Sequence, residues 1–204
     1  MSDTILERWG MSARELTGII DGNPSLRGIL VGYVAEAKLR QIWFSPPSVE
    51  ASRKPDDHDR TAKCDLVVTY KGEEFKVEVK SIKTNSVRRE GQRSHGRFQC
   101  DASDRRQVVL PNGKSVTTTC LRIDDFDLVA VNLYAFTGEW RFAFARNRDL
   151  PRTAHKAYTA YQRKHLLASL VPIDFPLQAP FRKEPFGLLG EILEERRRAR
   201  RSKP

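Results

Sequence analysis

The sequence predicts an α/β protein, and three segments carry that prediction. Apolar residues recur at helical spacing over 24–43, which indicates an amphipathic helix of about twenty residues. The segment 64–81 alternates apolar and polar residues around a short turn, which is typical of a β-hairpin. The segment 128–136 is almost continuously apolar and predicts a strand buried on both faces. Helices and strands are therefore both expected to contribute to one core.

The first part of the chain is predicted to be helical. A short helix is indicated over 11–20, followed by Asn23-Pro24, where Asn caps free N–H groups and Pro suits the first helical position. The long helix over 24–43 carries Glu36 along one edge of its apolar stripe. A polar loop is predicted to follow over 48–61.

The rest of the chain is predicted to be rich in strands. Beyond the first hairpin, the turn sequence Pro111-Asn112-Gly113 predicts a second hairpin, whereas the basic stretch 84–106 shows no clear element. The remaining predicted elements are strands over 128–136 and 140–145, a helix over 158–171, a proline-rich extended segment over 172–185 and a charged helical tail over 192–201. We expect one domain over residues 1–181 and a basic C-terminal tail over 182–204.

Length and composition exclude several classes of protein. The chain has 204 residues, enough for one core, and its 39% hydrophobic content excludes a disordered chain. No apolar run is long enough to span a membrane, and the first residues do not resemble a secretory signal. The three cysteines are spaced without a disulfide or zinc pattern. We expect a soluble, cytoplasmic protein.

The net charge of +10 is concentrated in two stretches. Residues 82–106 and 182–204 each carry a net charge of +4. Clustered positive charge favours a polyanionic partner, because each neutralised phosphate releases condensed counterions. The charge therefore predicts nucleic acid as the leading partner. A basic surface that only aids solubility is the alternative.

The first hairpin places two carboxylates and a lysine on one face. Residues two apart in a strand share a face, so Glu78 and Lys80 point the same way. A two- or four-residue connection is expected to bring Asp65 opposite Lys80, diagonal to Glu78 and within reach of a shared ion. An odd connection would instead turn Asp65 to the other face.

Such a set of side chains is suited to metal-assisted chemistry on a phosphodiester. Two facing carboxylates repel each other without a cation, and oxygen ligands of this kind bind hard divalent metals. Glu36 is the expected third carboxylate if its helix packs over the hairpin. Lys80 beside such a metal is expected to orient or deprotonate an attacking water and to balance phosphate charge. Because its ammonium would be partly desolvated and near a cation, its proton is expected to be easier to lose. The alternative is an exposed hairpin with ordinary salt bridges.

The sequence around these residues resembles the PD-(D/E)xK nuclease superfamily, and most closely its small restriction-endonuclease-like members. The matching segments are 32–36, 64–68, 78–81 and 126–131, with Cys64 where the motif has proline. The resemblance implies a mixed central β-sheet flanked by helices, and Mg²⁺-dependent hydrolysis of DNA that leaves a 5′-phosphate, with Mn²⁺ as the alternative ion. It makes Asp65 and Glu78 metal ligands, Lys80 the catalytic lysine and Glu36 an auxiliary acid.

The basic stretch after the hairpin supplies the expected DNA contacts. Arginine pairs with guanine and glutamine with adenine in the major groove, although contacts to phosphates alone are an equal alternative. The expected DNA-binding residues are Arg88, Arg89, Arg93, His95, Arg97, Gln99, Arg105 and Arg106.

We therefore expect a restriction-type, metal-dependent deoxyribonuclease. A homodimer is consistent with this activity, because one site per chain cuts one strand. The competing functions are a non-catalytic nucleic-acid-binding module and a junction-resolving or repair nuclease of the same fold.

Overall fold

A computed structural model describes residues 3–56 and 64–202, so the end of the predicted loop over 48–61 lies outside the described residues. The chain divides into two compact units, Met1–Val34 and Ala35–Pro204. The first contains helices α1 (Ile5–Trp9) and α2 (Ala13–Gly22) and the start of α3 (Pro24–Ile42). The prediction of α3 is confirmed to within one residue. Within the described ranges no helix is both long and apolar enough to cross a membrane.

The strands and the other helices belong to the second unit. The strands are β1 (Ala51–Arg53), β2 (Leu66–Tyr70), β3 (Glu73–Ser81), β4 (Arg88–Glu90), β5 (Arg93–Gln99), β6 (Asp101–Val109), β7 (Ser115–Cys120), β8 (Leu128–Asn132), β9 (Phe142–Arg146) and β10 (Leu170–Phe175). The helices are α4 (Tyr134–Thr137), α5 (Ala160–His165) and α6 (Phe186–Arg201).

The central sheet has five strands in the order β1-β2-β3-β8-β9. Strands β3 and β8 run parallel, with Val77 opposite Leu128 and Lys80 opposite Val131, and the other neighbours run antiparallel. The predicted mixed central sheet flanked by helices is confirmed. The fully buried β8 explains why its segment is continuously apolar.

The two faces of the central sheet bury different clusters. Phe75 and Val77 pack on one face with residues from α3 and α6, including Leu39 and Leu189. The other face, which carries Val129, packs against residues of the smaller sheet β10-β5-β4. Because β3 is pleated, its alternate residues Glu78 and Lys80 lie on this second face.

The C-terminal segment 182–204, expected as a basic tail, contains a helix that belongs to the core. Helix α6 begins at Phe186, six residues before the predicted start, and buries Leu188, Leu189, Ile192 and Leu193. Its first turns include Gly187 and Gly190, which have weak helix propensity and conceal the helix in the sequence. Burial of its apolar stripe stabilises it.

Two other predictions are corrected by the structure. The stretch 84–106, for which the sequence predicts no element, forms β4, β5 and the first part of β6. The helix predicted over 158–171 is limited to α5, after which Leu166 takes an extended conformation and Leu170 begins β10. Leu166 and Leu167 are buried in two separate clusters, which accounts for the extended backbone between them.

Candidate active site

A two-residue turn sets the register of the hairpin formed by β2 and β3. Lys71 and Gly72 have φ values of 51° and 75°, and this left-handed pair is typical of tight hairpin turns. The ladder therefore pairs Leu66 with Val77, so the predicted register, which put Asp65 opposite Lys80, is wrong by two residues. An even shift preserves the face of every side chain, and the grouping of Asp65 with Glu78 and Lys80 survives the error.

Asp65 lies directly before β2 and is held against β3 by two hydrogen bonds. Its backbone N–H donates to the Val77 carbonyl oxygen at 3.1 Å. Its carboxylate Oδ2 accepts a hydrogen bond from the backbone N–H of Val79 at 2.6 Å. The carboxylate of Asp65 therefore lies beside the stretch of β3 that contains Glu78 and Lys80.

Glu78 and Lys80 form a close ion pair in a largely buried position. The Lys80 Nζ atom lies 2.6 Å from Glu78 Oε1, and the side chains of Lys80 and Glu78 are 20% and 10% exposed, respectively. Both side chains are thus mostly shielded from water, and each keeps a small solvent-exposed fraction. The pair is therefore partly desolvated, and its electrostatic interactions are stronger than those of a surface pair.

This environment changes the protonation of both partners. Burial, reinforced by the charge of Asp65, raises the pKa of Glu78 to about 7, against the opposing effect of Lys80. Burial alone would lower the pKa of Lys80, but the charges of Glu78 and Asp65 outweigh it and raise that pKa above its ordinary value. The expectation that the Lys80 ammonium loses its proton more easily applies to a site that holds a cation, and it stays a prediction.

The donor set fits a divalent metal held by two carboxylates. Asp65 raises the pKa of Glu78 because two negative charges are close together, and a bound cation would relieve that repulsion. Mg²⁺ is commonly bound by one or two carboxylates, with waters and substrate phosphate completing its coordination. The residues present therefore fit Mg²⁺ or Mn²⁺, with Asp65 and Glu78 as the protein ligands.

Glu36 is not brought into this set. Its Oε2 atom lies 2.9 Å from Lys54 Nζ. Within residues 3–56 and 64–202, no three His, Cys, Asp or Glu side chains lie close enough to hold one ion. The expectation of a third carboxylate ligand from Glu36 is therefore not met.

Two further side chains, Cys100 and Arg106, interact with the site, and no sequence pattern places them there. Cys100 is fully buried, and burial, against the charge of Lys80, raises the pKa of its thiol to about 12. The bridge between Ile82 and Phe98 carries β3 alongside β5 and explains why Cys100 comes close to Lys80. Arg106, expected only as a DNA contact, lowers the pKa of Glu78 through its charge and lies 3.8 Å from the buried carboxylate of Asp125. Neither contact has a local sequence signal, because both cross between strands.

The expected DNA-binding residues are distributed over two sheets. Arg88 and Arg89 lie on β4, and Arg93, His95, Arg97 and Gln99 lie on β5 of the same sheet. Arg105 and Arg106 lie on β6, in a different sheet. Arg89 donates a hydrogen bond from Nη2 to the Phe136 carbonyl oxygen at 3.3 Å.

His95 is already engaged by acidic neighbours. Its Nδ1 atom lies 2.9 Å from Asp174 Oδ1, and Nε2 lies 3.9 Å from Glu90 Oε2. Both nitrogens therefore face carboxylates, so the expectation of a phosphate contact from His95 is not supported.

Comparisons with known proteins add little. No protein-family model and no curated protein matches the sequence. Among solved structures, the chain is similar to a bacterial homing endonuclease, with 19% sequence identity and a TM-score of 0.38, over 85% of this chain and 97% of that one. At this sequence identity and TM-score, the similarity carries no argument about function.

Proposed function

We propose that this protein is a divalent-metal-dependent endonuclease that hydrolyses DNA phosphodiesters, of restriction type and with a PD-(D/E)xK-like site. The observation that carries the proposal is the convergence of Asp65, Glu78 and Lys80 on one face at the end of a hairpin. The net charge of +10 supports a polyanionic substrate.

Each side chain of the site has a distinct part in the proposed reaction. Asp65 and Glu78 would hold the cation, which when bound acts as a Lewis acid toward a phosphate oxygen and lowers the pKa of a coordinated water. Against the effect of burial, the charges of Glu78 and Asp65 raise the pKa of Lys80 in the metal-free chain, and its Nζ atom lies 2.6 Å from Glu78 Oε1. Lys80 would donate hydrogen bonds to the scissile phosphate as negative charge builds up.

The reaction is a hydrolysis whose atoms balance without a further reactant. Water attacks phosphorus in line, a P–O bond forms on the attacking side, and the bond to the 3′ oxygen breaks. The 3′ oxygen takes up a proton and leaves as a hydroxyl, and the phosphate stays on the 5′ end. A chain with one such site cuts one strand, so cleavage of both strands at one position is expected to require two copies.

The test is a plasmid cleavage assay with a matched pair of lysine variants. Supercoiled DNA is incubated with the purified chain and Mg²⁺, Mn²⁺ or a chelator. Lys80→Ala is expected to lower the cleavage rate by about a hundredfold or more, because one electrostatic donor to the reacting phosphate is lost. Lys76→Ala removes an exposed lysine from the same strand and is expected to cleave like the wild type.

Three results of this assay decide the proposal. Metal-dependent cleavage that is lost only in Lys80→Ala supports it, provided that circular dichroism shows the variant to be folded. Lys80→Gln, which keeps most of the side-chain volume, replaces the alanine variant if that one unfolds. Cleavage that persists in the chelator, or that survives both substitutions, contradicts the proposed site. DNA binding without any cleavage by the wild type favours a non-catalytic binding module.

A further inference from the structure

The second sheet, β10-β5-β4, presents a polar outward face built mainly by β5. Strand alternation turns Gly96 and Phe98 inward, and a Cβ atom at Gly96 would lie 2.9 Å from the Phe136 ring. Arg93, Arg97 and Gln99 occupy alternate positions of the same strand and are exposed on the opposite face. Close packing beneath β5 therefore fixes which side chains it presents to solvent.

The neighbouring strands extend this face on both sides. Arg88 of β4 pairs with His95 and so points the same way, and Pro172 of β10 pairs with Arg97. Arg89 pairs with Ser94 and belongs to the other face. We use the name reading face for the outward side chains Arg88, Arg93, Arg97 and Gln99.

Three side chains of the reading face are without polar contacts to the part of the chain that the structure describes. Within residues 3–56 and 64–202, the side chains of Arg93, Arg97 and Gln99 make no hydrogen bond or ion pair. The acids on the same face are Asp174, 2.9 Å from His95 Nδ1, and Glu90, which is 3.9 Å from His95 Nε2 and 77% exposed. The exposed donors of the reading face are thus available to an external ligand.

The distance between neighbouring side chains of the reading face along β5 matches the rise of about two base pairs in duplex DNA. Alternate residues of a strand lie about 6.7 Å apart, so Arg93 and Gln99 are separated by about 20 Å along β5. Successive phosphates along a DNA strand rise by about 3.4 Å, so alternate side chains advance by about two base pairs. The major groove admits a β-ribbon, and arginine and glutamine are the side chains that pair with guanine and adenine there.

We propose that the reading face lies in the major groove of duplex DNA and selects sequence through Arg97 and Gln99. The inference rests on the proposed function for the identity of the ligand, and it adds that substrate choice is set on β5, outside the cleavage site. Arg88 and Arg93 lie nearer the end of the β4–β5 hairpin and contribute positive charge around the bases that are read.

The test selects bound sequences from a library of random duplexes, with Ca²⁺ replacing Mg²⁺. Gln99→Ala removes a base contact without changing charge, and Arg97→Lys keeps the charge but removes the bidentate pairing. Each is expected to lose preference at one or two adjacent positions by about tenfold to a hundredfold, while affinity for random DNA changes little. Arg14→Ala, on α2, removes an exposed arginine elsewhere and serves as the control.

The outcomes separate this inference from the proposed function. Altered preference in the two β5 variants but not in Arg14→Ala supports the reading face. A wild-type preference that both β5 variants retain, or DNA binding without any sequence preference, overturns the inference even if plasmid cleavage is intact. Sequence selection that the β5 variants lose, in a chain whose wild type never cleaves DNA, supports the reading face and contradicts the proposed nuclease.

Discussion

The two basic stretches have the same net charge but use it differently. In 82–106, Arg93 and Arg97 project from β5 without side-chain partners among the described residues. In 182–204, Arg196 and Arg200 pair with Asp127 and Glu73. Arginines of 82–106 therefore remain available for a ligand, whereas Arg196 and Arg200 of 182–204 form ion pairs that hold α6 against the central sheet. Net charge along a sequence therefore does not by itself locate a nucleic-acid surface.

The strongest expected difference concerns stability in the C-terminal stretch. The Arg196 guanidinium donates to Asp127 Oδ1 at 2.6 Å and to the Glu74 carbonyl oxygen at 2.8 Å, and it lies over the Phe75 ring. Arg196→Ala is expected to lower the free energy of unfolding by about 2 kcal/mol, because hydrogen bonds to charged groups and a cation–π contact are lost together. Chemical denaturation measures this change.

The matched control for that prediction is Arg198→Ala, on the same helix. Arg198 is exposed, and its side chain makes no ion pair or hydrogen bond within residues 3–56 and 64–202. Its loss is expected to change stability by less than about 0.5 kcal/mol. Equal destabilisation by Arg196→Ala and Arg198→Ala would show that the contacts of Arg196 do not stabilise the fold more than an exposed arginine does.

The second prediction compares DNA affinity after equal losses of charge. Arg93→Ala with Arg97→Ala removes two charges from β5, and Arg198→Ala with Arg201→Ala removes two exposed charges from α6. The β5 pair is expected to weaken binding to duplex DNA by about tenfold or more, because direct contacts are lost. The α6 pair is expected to weaken it by less than about threefold, through long-range electrostatics alone. Fluorescence anisotropy at fixed salt measures both, and a reversed order would contradict the assignment of the DNA surface.

The third prediction concerns the buried ion pair of Glu78 with Lys80, for which a smaller change in the free energy of unfolding is expected. The folded, metal-free chain retains a proton on Glu78 up to a pKa of about 7, whereas the ordinary value is 4.5. The unfolded chain therefore releases that proton first, and the stability contributed by this group falls as pH rises from about 4.5 to about 7. Lys80 stays protonated throughout this range, because its own pKa is raised.

Glu78→Gln isolates this contribution, because glutamine is neutral at every pH in the range. The free energy of unfolding of the wild type is expected to fall relative to that of the variant between about pH 5 and pH 8 in the presence of a chelator. Glu184→Gln, at an exposed position, is the control and should run parallel to the wild type. Parallel curves for Glu78→Gln as well would show that Glu78 titrates normally.

The hairpin is the most predictable part of the molecule. Alternation over 75–81 predicts the correct face of these residues of β3, and because the register error is two residues, the grouping of Asp65 with Glu78 and Lys80 is predicted as well. The actual pairing depends on the left-handed conformation of Lys71, a non-glycine residue, and no residue pattern predicts that conformation.

The less predictable parts share a physical cause. Strand β5 escapes prediction because its inward positions are Ser94, Gly96 and Phe98, and only one of these is apolar enough to produce an alternating signal. The contact of Arg106 with the site depends on packing between strands that are distant in sequence, and the ion pair of Glu36 with Lys54 joins α3 to the residue after β1. Local patterns report which face a residue occupies, and tertiary contacts decide which partner it meets.

The proposed function requires Asp65 and Glu78 to share one divalent ion, and a calorimetric titration with Mn²⁺ measures this binding. The wild type is expected to bind one ion per chain, and Asp65→Asn is expected to weaken binding by more than about tenfold, because a charged ligand is lost. Asp124→Asn, at an exposed position whose left-handed backbone asparagine tolerates, should bind like the wild type. Unchanged Mn²⁺ affinity in Asp65→Asn would contradict a metal site shared by Asp65 and Glu78.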